Sequence, residues 1–106
     1  MIVVARPIML AALLDFPLML LCNQEPVAAV SWSFQHSPDS EAQDIIIEGS
    51  VVSDNTDRFG IRGSNLIMYK VQEFDDGLYH CSDANGNIFR YHVTVAGEEV
   101  AVFLEI

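Results

Sequence analysis

Asp75-Asp76-Gly77-Leu78-Tyr79-His80-Cys81 is the stretch on which the fold turns. Gly77 to Asp83 reads as a strand with Tyr79, Cys81 and Asp83 on one face and His80 and Ser82 on the other, because side chains two apart share a side. Upstream, Cys22 ends Leu18-Met19-Leu20-Leu21-Cys22, and Trp32 follows ten residues later in Val30-Ser31-Trp32-Ser33-Phe34. Two cysteines are too few for a four-thiolate zinc site and too far apart for a C-x-x-C redox motif. They form one disulfide or stay as two buried thiols. A disulfide closing a loop of about 60 residues would add about 4 kcal/mol on the chain-entropy model and would imply an oxidising compartment.

Outward from this stretch, short runs rich in Val, Ile, Leu and Tyr alternate with turn residues, and no segment carries a clean helical repeat. The expected strands are Pro7 to Leu13, Leu18 to Asn23, Ala28 to Gln35, Asp44 to Glu48, Arg58 to Arg62, Asn65 to Val71, Gly77 to Asp83 and Ile88 to Ala96. Turns are expected at Asp15-Phe16-Pro17, Gln24-Glu25-Pro26, His36 to Ser40, Gly63-Ser64 and Asn85-Gly86-Asn87. The chain is therefore all-β, a sandwich or barrel. Its 106 residues suffice for one domain, and 51% hydrophobic content excludes a disordered chain. A net charge of −10, from 15 acidic and 5 basic residues, argues against nucleic acid as a partner. The apolar opening from Ile2 to Cys22, with Arg6 ahead of Ile8 to Leu14, looks like a targeting segment. Asp15 and Pro17 interrupt it below the length of a membrane span, so it reads as the first strands of the domain. The domain is expected to cover residues 1–97. Residues 98–106, with Val100, Val102 and Leu104 in alternation, would be an extension or the start of a following domain.

Cys22, Trp32 and Cys81, in that order and spacing, resemble the immunoglobulin superfamily. The resemblance implies a two-sheet Greek-key sandwich with a Cys22–Cys81 disulfide between the sheets and Trp32 packed on it. It also implies a tyrosine corner at Tyr79, whose hydroxyl would bond to the backbone upstream. Leu66, Met68 and Val71 match the family's apolar positions before its Asp-x-Gly-x-Tyr-x-Cys stretch. Arg58 is similar to the arginine that pairs with the aspartate corresponding to Asp75 in variable-type and intermediate-type domains, where a guanidinium fork suits the geometry. Ile88 to Val95 lacks the Phe-Gly-x-Gly bulge of antibody variable domains. Room for a C′ strand at Asp44 to Glu48 points to a variable-like or intermediate set.

No nucleophile elbow, calcium loop or other catalytic, cofactor or metal motif accompanies this pattern. None of the asparagines begins an Asn-x-Ser/Thr sequon. The acidic residues Asp54/Asp57 and Glu73/Asp75/Asp76 read as a solvated face plus the Arg58 pair. What remains is surface. Taking Cys22, Leu66 and Met68 as inward puts Met19, Leu21, Ile67 and Tyr69 on one outer face, expected to be that of an A-B-E-D sheet, and contiguous exposed apolar surface marks interaction sites. Self-association through it is the expectation, with heterophilic binding or domain packing as the alternatives. The other sheet shows Ser31, Ser33, Gln35, His80, Ser82, Arg90, His92 and Thr94, a polar second candidate. A three-residue turn at Asn85-Gly86-Asn87 would set Tyr79 against Val93, Cys81 against Tyr91 and His80 against His92, where two imidazolium charges would repel at low pH. The implied function is an extracellular recognition module of a cell-surface or secreted receptor or adhesion protein. Its alternatives are a secreted or viral decoy module and a structural spacer in a tandem array.

Overall fold

The computed structural model describes residues 7–22, 29–52, 56–83 and 88–97. Among the described residues, nine strands form two sheets. They are β1 (Ile8–Leu13), β2 (Leu18–Leu20), β3 (Ser31–Gln35), β4 (Gln43–Ile47), β5 (Ser50–Val51), β6 (Phe59–Arg62), β7 (Asn65–Met68), β8 (Gly77–Ser82) and β9 (Ile88–Ala96). One sheet has six strands in the order β1-β9-β8-β3-β4-β5, and the other has three in the order β2-β7-β6. Alternation decides what lies between them: Trp32 and Phe34 of β3, Leu66 and Met68 of β7, and Tyr79 and Cys81 of β8 all point inward and are buried. With Leu20, Ile46, Phe59, Val71 and Val93 they make one core.

The first strand does not join the sheet that the sequence suggested. β1 runs parallel to β9, from Ile8 opposite Tyr91 to Leu13 opposite Ala96, so the outer face of the second sheet is built by β2, β7 and β6 alone. The switch happens at Asp15, whose positive φ of 71° turns the chain. Leu14 N–H donates to Ala96 C=O at 2.9 Å in one sheet, while Asp15 N–H donates to Val71 C=O at 2.8 Å beside the other. Asp is one of the few residues besides glycine that visit this left-handed conformation readily.

β5 is a strand that the sequence reading did not include. Glu48 and Gly49 both have positive φ, 47° and 83°, the requirement of a two-residue hairpin loop whose twist matches its strands. They pair Ile47 with Ser50 and Ile46 with Val51. β3 and β7 are shorter than expected, and β2 ends at Leu20, before Leu21 and Cys22.

The β8–β9 register is corrected by two residues. Tyr79 lies opposite Tyr91, Cys81 opposite Phe89 and His80 opposite Arg90, while His92 faces Leu78. In this register Tyr91 stacks on Trp32 with centroids 6.1 Å apart, and its hydroxyl donates to Leu21 C=O at 2.6 Å. Those contacts outweigh the preference for the shorter loop. The two histidines are therefore not cross-strand partners. The expected turns at 24–26 and 85–87 and the extension at 98–106 lie outside the described residues.

Candidate functional site

The interior holds the sheets at fixed positions, and that rigidity is what gives either outer face a defined shape. Cys22 and Cys81 are bonded, with Cα atoms 6.2 Å apart, across 59 residues of chain. Such bonds persist in oxidising compartments. Trp32 is fully buried, is the cross-strand neighbour of Cys81, and donates its indole N–H to Ser64 C=O at 3.0 Å. The Ser64 hydroxyl in turn donates to Cys22 C=O, and Cys22 N–H donates to Asn65 Oδ1 at 3.0 Å. Side chains thus satisfy the backbone just beyond the end of β2.

At the base of the sandwich Arg58 Nη2 lies 2.6 Å from Asp75 Oδ2. Asp75 is almost fully buried and also accepts Gln72 N–H at 2.7 Å, and the Tyr79 hydroxyl donates to Asp75 C=O at 2.7 Å. Burial, then the nearby Asp75, holds the Tyr79 phenol far above its ordinary ionisation range. The Arg58 guanidinium also lies between the Phe59 and Phe74 rings, 4.9 and 4.7 Å from their centroids. Asp76 belongs to the frame as well, since its Oδ2 accepts Val95 N–H at 2.9 Å. Of the acidic run, two members are thus used internally and Glu73 is exposed. Removing Arg58 would strand a buried carboxylate. Arg58→Ala should lower stability by about 1 to 3 kcal/mol, less than for a wholly buried pair because Arg58 is 31% exposed. Urea unfolding of the two proteins measures it, and a loss below a few tenths would mean that the pair contributes like an ordinary surface ion pair.

On the three-stranded sheet, Met19, Ile67 and Gly60 form one outward row. Met19, Leu21 and Tyr69 are 44%, 47% and 52% exposed, and Ile67 is half-buried between them. The Tyr69 phenol lies over the bare Cα of Gly60, which flattens the patch. None of the three strands carries a carboxylate. Arg62 is exposed at one end, and Lys70 stands at the other, 3.7 Å from Asp15 in a pair that is mostly solvated. The structure therefore brings all four of these apolar residues together, on strands β2 and β7 and the residues that follow each.

The six-stranded sheet presents a different face. Arg90, His80, Ser33 and Asp44 form a continuous cross-sheet row through β9, β8, β3 and β4, and Met9, His92, Leu78 and Gln35 form the next. His80 protonates below the ordinary histidine value of 6.5, chiefly through burial and secondarily through the Arg90 charge. The unfolded chain therefore takes up this proton first, so His80 stabilises the fold above about pH 6.5 and withdraws that contribution as pH falls. An NMR titration should place the His80 midpoint below 6.5, and Arg90→Gln should raise it partway. An unchanged midpoint in that variant would remove Arg90 from the cause. Among the described residues no group of three or more His, Cys, Asp or Glu side chains is placed to hold a metal.

No family model matches the chain. It is 32% identical over 104 residues to the Ig-like V-type domain-containing protein FAM187A of Bos taurus, a match covering 85% of this chain and 25% of that protein. It is 29% identical over 87 residues to the protein of the same name from Rattus norvegicus, covering 72% and 21%. The chain spans about a quarter of the length of these curated relatives. Among solved structures, the N-terminal four Ig domains of Dscam1 isoform 1.9 superpose with a TM-score of 0.66 at 19% identity, over 85% of this chain and 22% of that one. The ZIG-8 IG1 homodimer gives 0.65 at 13% identity, over 86% and 80%. Those two share the fold. With β4 and β5 extending the sheet of β3, β8 and β9 as in variable-type domains, and with Trp32 buried beside the inter-sheet disulfide, the chain belongs to the immunoglobulin superfamily.

Proposed function

We propose that this domain is an extracellular recognition module, not an enzyme, and that it binds a partner protein through the outer face of the three-stranded sheet. The observation that carries this is the grouping of Met19, Leu21, Ile67 and Tyr69 on a face whose strands hold no carboxylate, in a chain with 15 acidic residues. Solvation alone would favour the reverse distribution. The FAM187A proteins carry a V-type domain by name, and the ZIG-8 domain of the same fold assembles as a homodimer, which supports protein contact as the use of the scaffold.

Charge selects the kind of partner. Arg62 stands at one end of the patch and Lys70, in a solvated pair with Asp15, at the other, so a second copy meeting this face would offer Arg62 no carboxylate from its own three strands. A partner with an apolar centre and an acidic rim fits better, and heterophilic binding replaces self-association as the use of this face. The test is binding of the intact domain to an array of cell-surface ectodomains. Ile67→Glu should weaken the captured interaction at least about tenfold, the scale of burying an unpaired charge in an interface. Equal binding by both proteins would move the function off this face.

A further inference from the structure

The outward row Met19–Ile67–Gly60 ends on a residue with no side chain. Its backbone does not call for one. The described glycines with positive φ are Gly49, Gly63 and Gly77, whereas Gly60 lies in the extended backbone of β6, a conformation open to any residue. Nor does the strand gain from it, since glycine packs nothing and loses more conformational freedom on folding than any other residue. Gly60 is nevertheless buried, because a neighbouring side chain covers it.

The cover is the Tyr69 phenol. Tyr69 stands two residues past Ile67, and its N–H donates to Arg58 C=O at 3.0 Å, so its ring reaches Gly60 diagonally across the pair of strands. The three nearest heavy atoms that a Cβ on Gly60 would meet all belong to Tyr69. The Cβ would overlap the hydroxyl oxygen and lie 3.0 Å from Cζ and 3.5 Å from Cε1. At Gly77 the obstruction is a carbonyl oxygen and a buried ring, which cannot retreat. At Gly60 it is the free end of an exposed side chain whose own backbone is tied to Arg58. A side chain at position 60 therefore lifts the phenol off the sheet and leaves the strands paired.

We infer that Gly60 is a positioning residue for recognition: its bare Cα lets Tyr69 lie against the sheet as a pre-placed anchor beside Met19 and Ile67. The inference rests on the three-stranded face being the binding face. Tyr69 is 52% exposed although its far end is laid on Gly60, so it offers area to a partner while little of its freedom remains to be lost on contact. Tyrosine is among the residues that most often carry the energy of an interface. A phenol standing off the sheet would hold an incoming surface away from Ile67 and Met19, and each unfilled contact lowers affinity.

Calorimetric titration of the intact, disulfide-bonded domain with the ectodomain captured in the array decides it. The proteins compared are the wild type, Ile67→Glu, Gly60→Ala, Tyr69→Phe and the double variant Gly60→Ala/Tyr69→Phe. Gly60→Ala should bind at least about tenfold more weakly, while its thermal midpoint moves by no more than about 5 °C. Tyr69→Phe removes the oxygen that a Cβ would overlap and keeps the ring, so it should bind within about threefold of the wild type. In the double variant the ring can settle back, and binding should return to that same range. Gly60→Ala binding like the wild type while Ile67→Glu is weakened overturns this inference and leaves the binding face in place. A loss in Gly60→Ala that the double variant does not restore also overturns it, as does a larger fall in the midpoint, which would make Gly60 a residue of the fold alone. Ile67→Glu binding as tightly as the wild type overturns both the face and its anchor.

Discussion

Replacing Gly77 by alanine is expected to cost about 3 kcal/mol or more, the range of a severe overpacking or backbone lesion. Gly77 opens β8 with φ of 153°, a conformation that L side chains rarely adopt, and a Cβ there would sit 2.5 Å from the Gln35 carbonyl oxygen and 2.8 Å from the Phe34 ring. Gln35 pairs with Leu78 on the adjacent strand, so its backbone cannot retreat without loosening the β3–β8 ladder. Phe34 is equally constrained, packed edge-on with His36 and tilted on Tyr79, each at 4.8 Å between centroids. Denaturant unfolding followed by Trp32 fluorescence measures the loss. A cost under about 1 kcal/mol would mean that the two strands separate more easily than this packing allows.

Removing the disulfide is the second large perturbation. The Cys22→Ala/Cys81→Ala variant should lose about 2 to 5 kcal/mol, since the bond closes 59 residues of chain and its sulfurs are fully buried against the core. The fold itself should persist, held by Trp32 on Ser64, Tyr91 on Leu21 and the Arg58–Asp75 pair. Thermal unfolding of the oxidised and the doubly substituted protein provides the comparison. An unchanged midpoint would make the bond dispensable.

How much of this was legible in the residues depends on what fixed each feature. The Cys22, Trp32, Tyr79 and Cys81 pattern implied the sandwich through its resemblance to the immunoglobulin superfamily, and the structure buries all four side chains in one core. The β8–β9 register was not legible. A slip of two residues keeps every side chain on its own face, so alternation is blind to it, and the decision lies with Tyr91 reaching Trp32 and Leu21 across the sandwich. The sheet that takes β1 was hidden for a similar reason. Ile8 to Leu13 has no polar residue to mark an outer face, and the choice is made by the turn at Asp15. β5 had a local signal, Gly49 following Glu48 between Ile47 and Ser50, of the kind that closes a two-residue hairpin.

The candidate surfaces divide in the same way. The phase of Met19 and Ile67 followed from strand period alone, and the structure pairs them directly. Leu21 and Tyr69 lie just past the ends of their strands, yet both remain exposed. The frame of Arg62 and Lys70 could not be seen without the second sheet's boundaries, and it is what turns the expectation from a homophilic toward a heterophilic contact. The row from Arg90 to Asp44 was likewise out of reach, because it needs three strand registers at once, one of them through the irregularity between Trp32 and Ser33.

The most direct test of recognition through the three-stranded face is methyl NMR of the labelled domain as a captured ectodomain is added. Met19 and Ile67 report one face, Met9 and Ile47 report the other, and buried Met68 serves as the internal reference. The account predicts that the Met19, Leu21 and Ile67 methyl signals shift or broaden on binding while Met68 changes little. Perturbation confined to Met9 and Ile47, with Met19 and Ile67 unmoved, would contradict it.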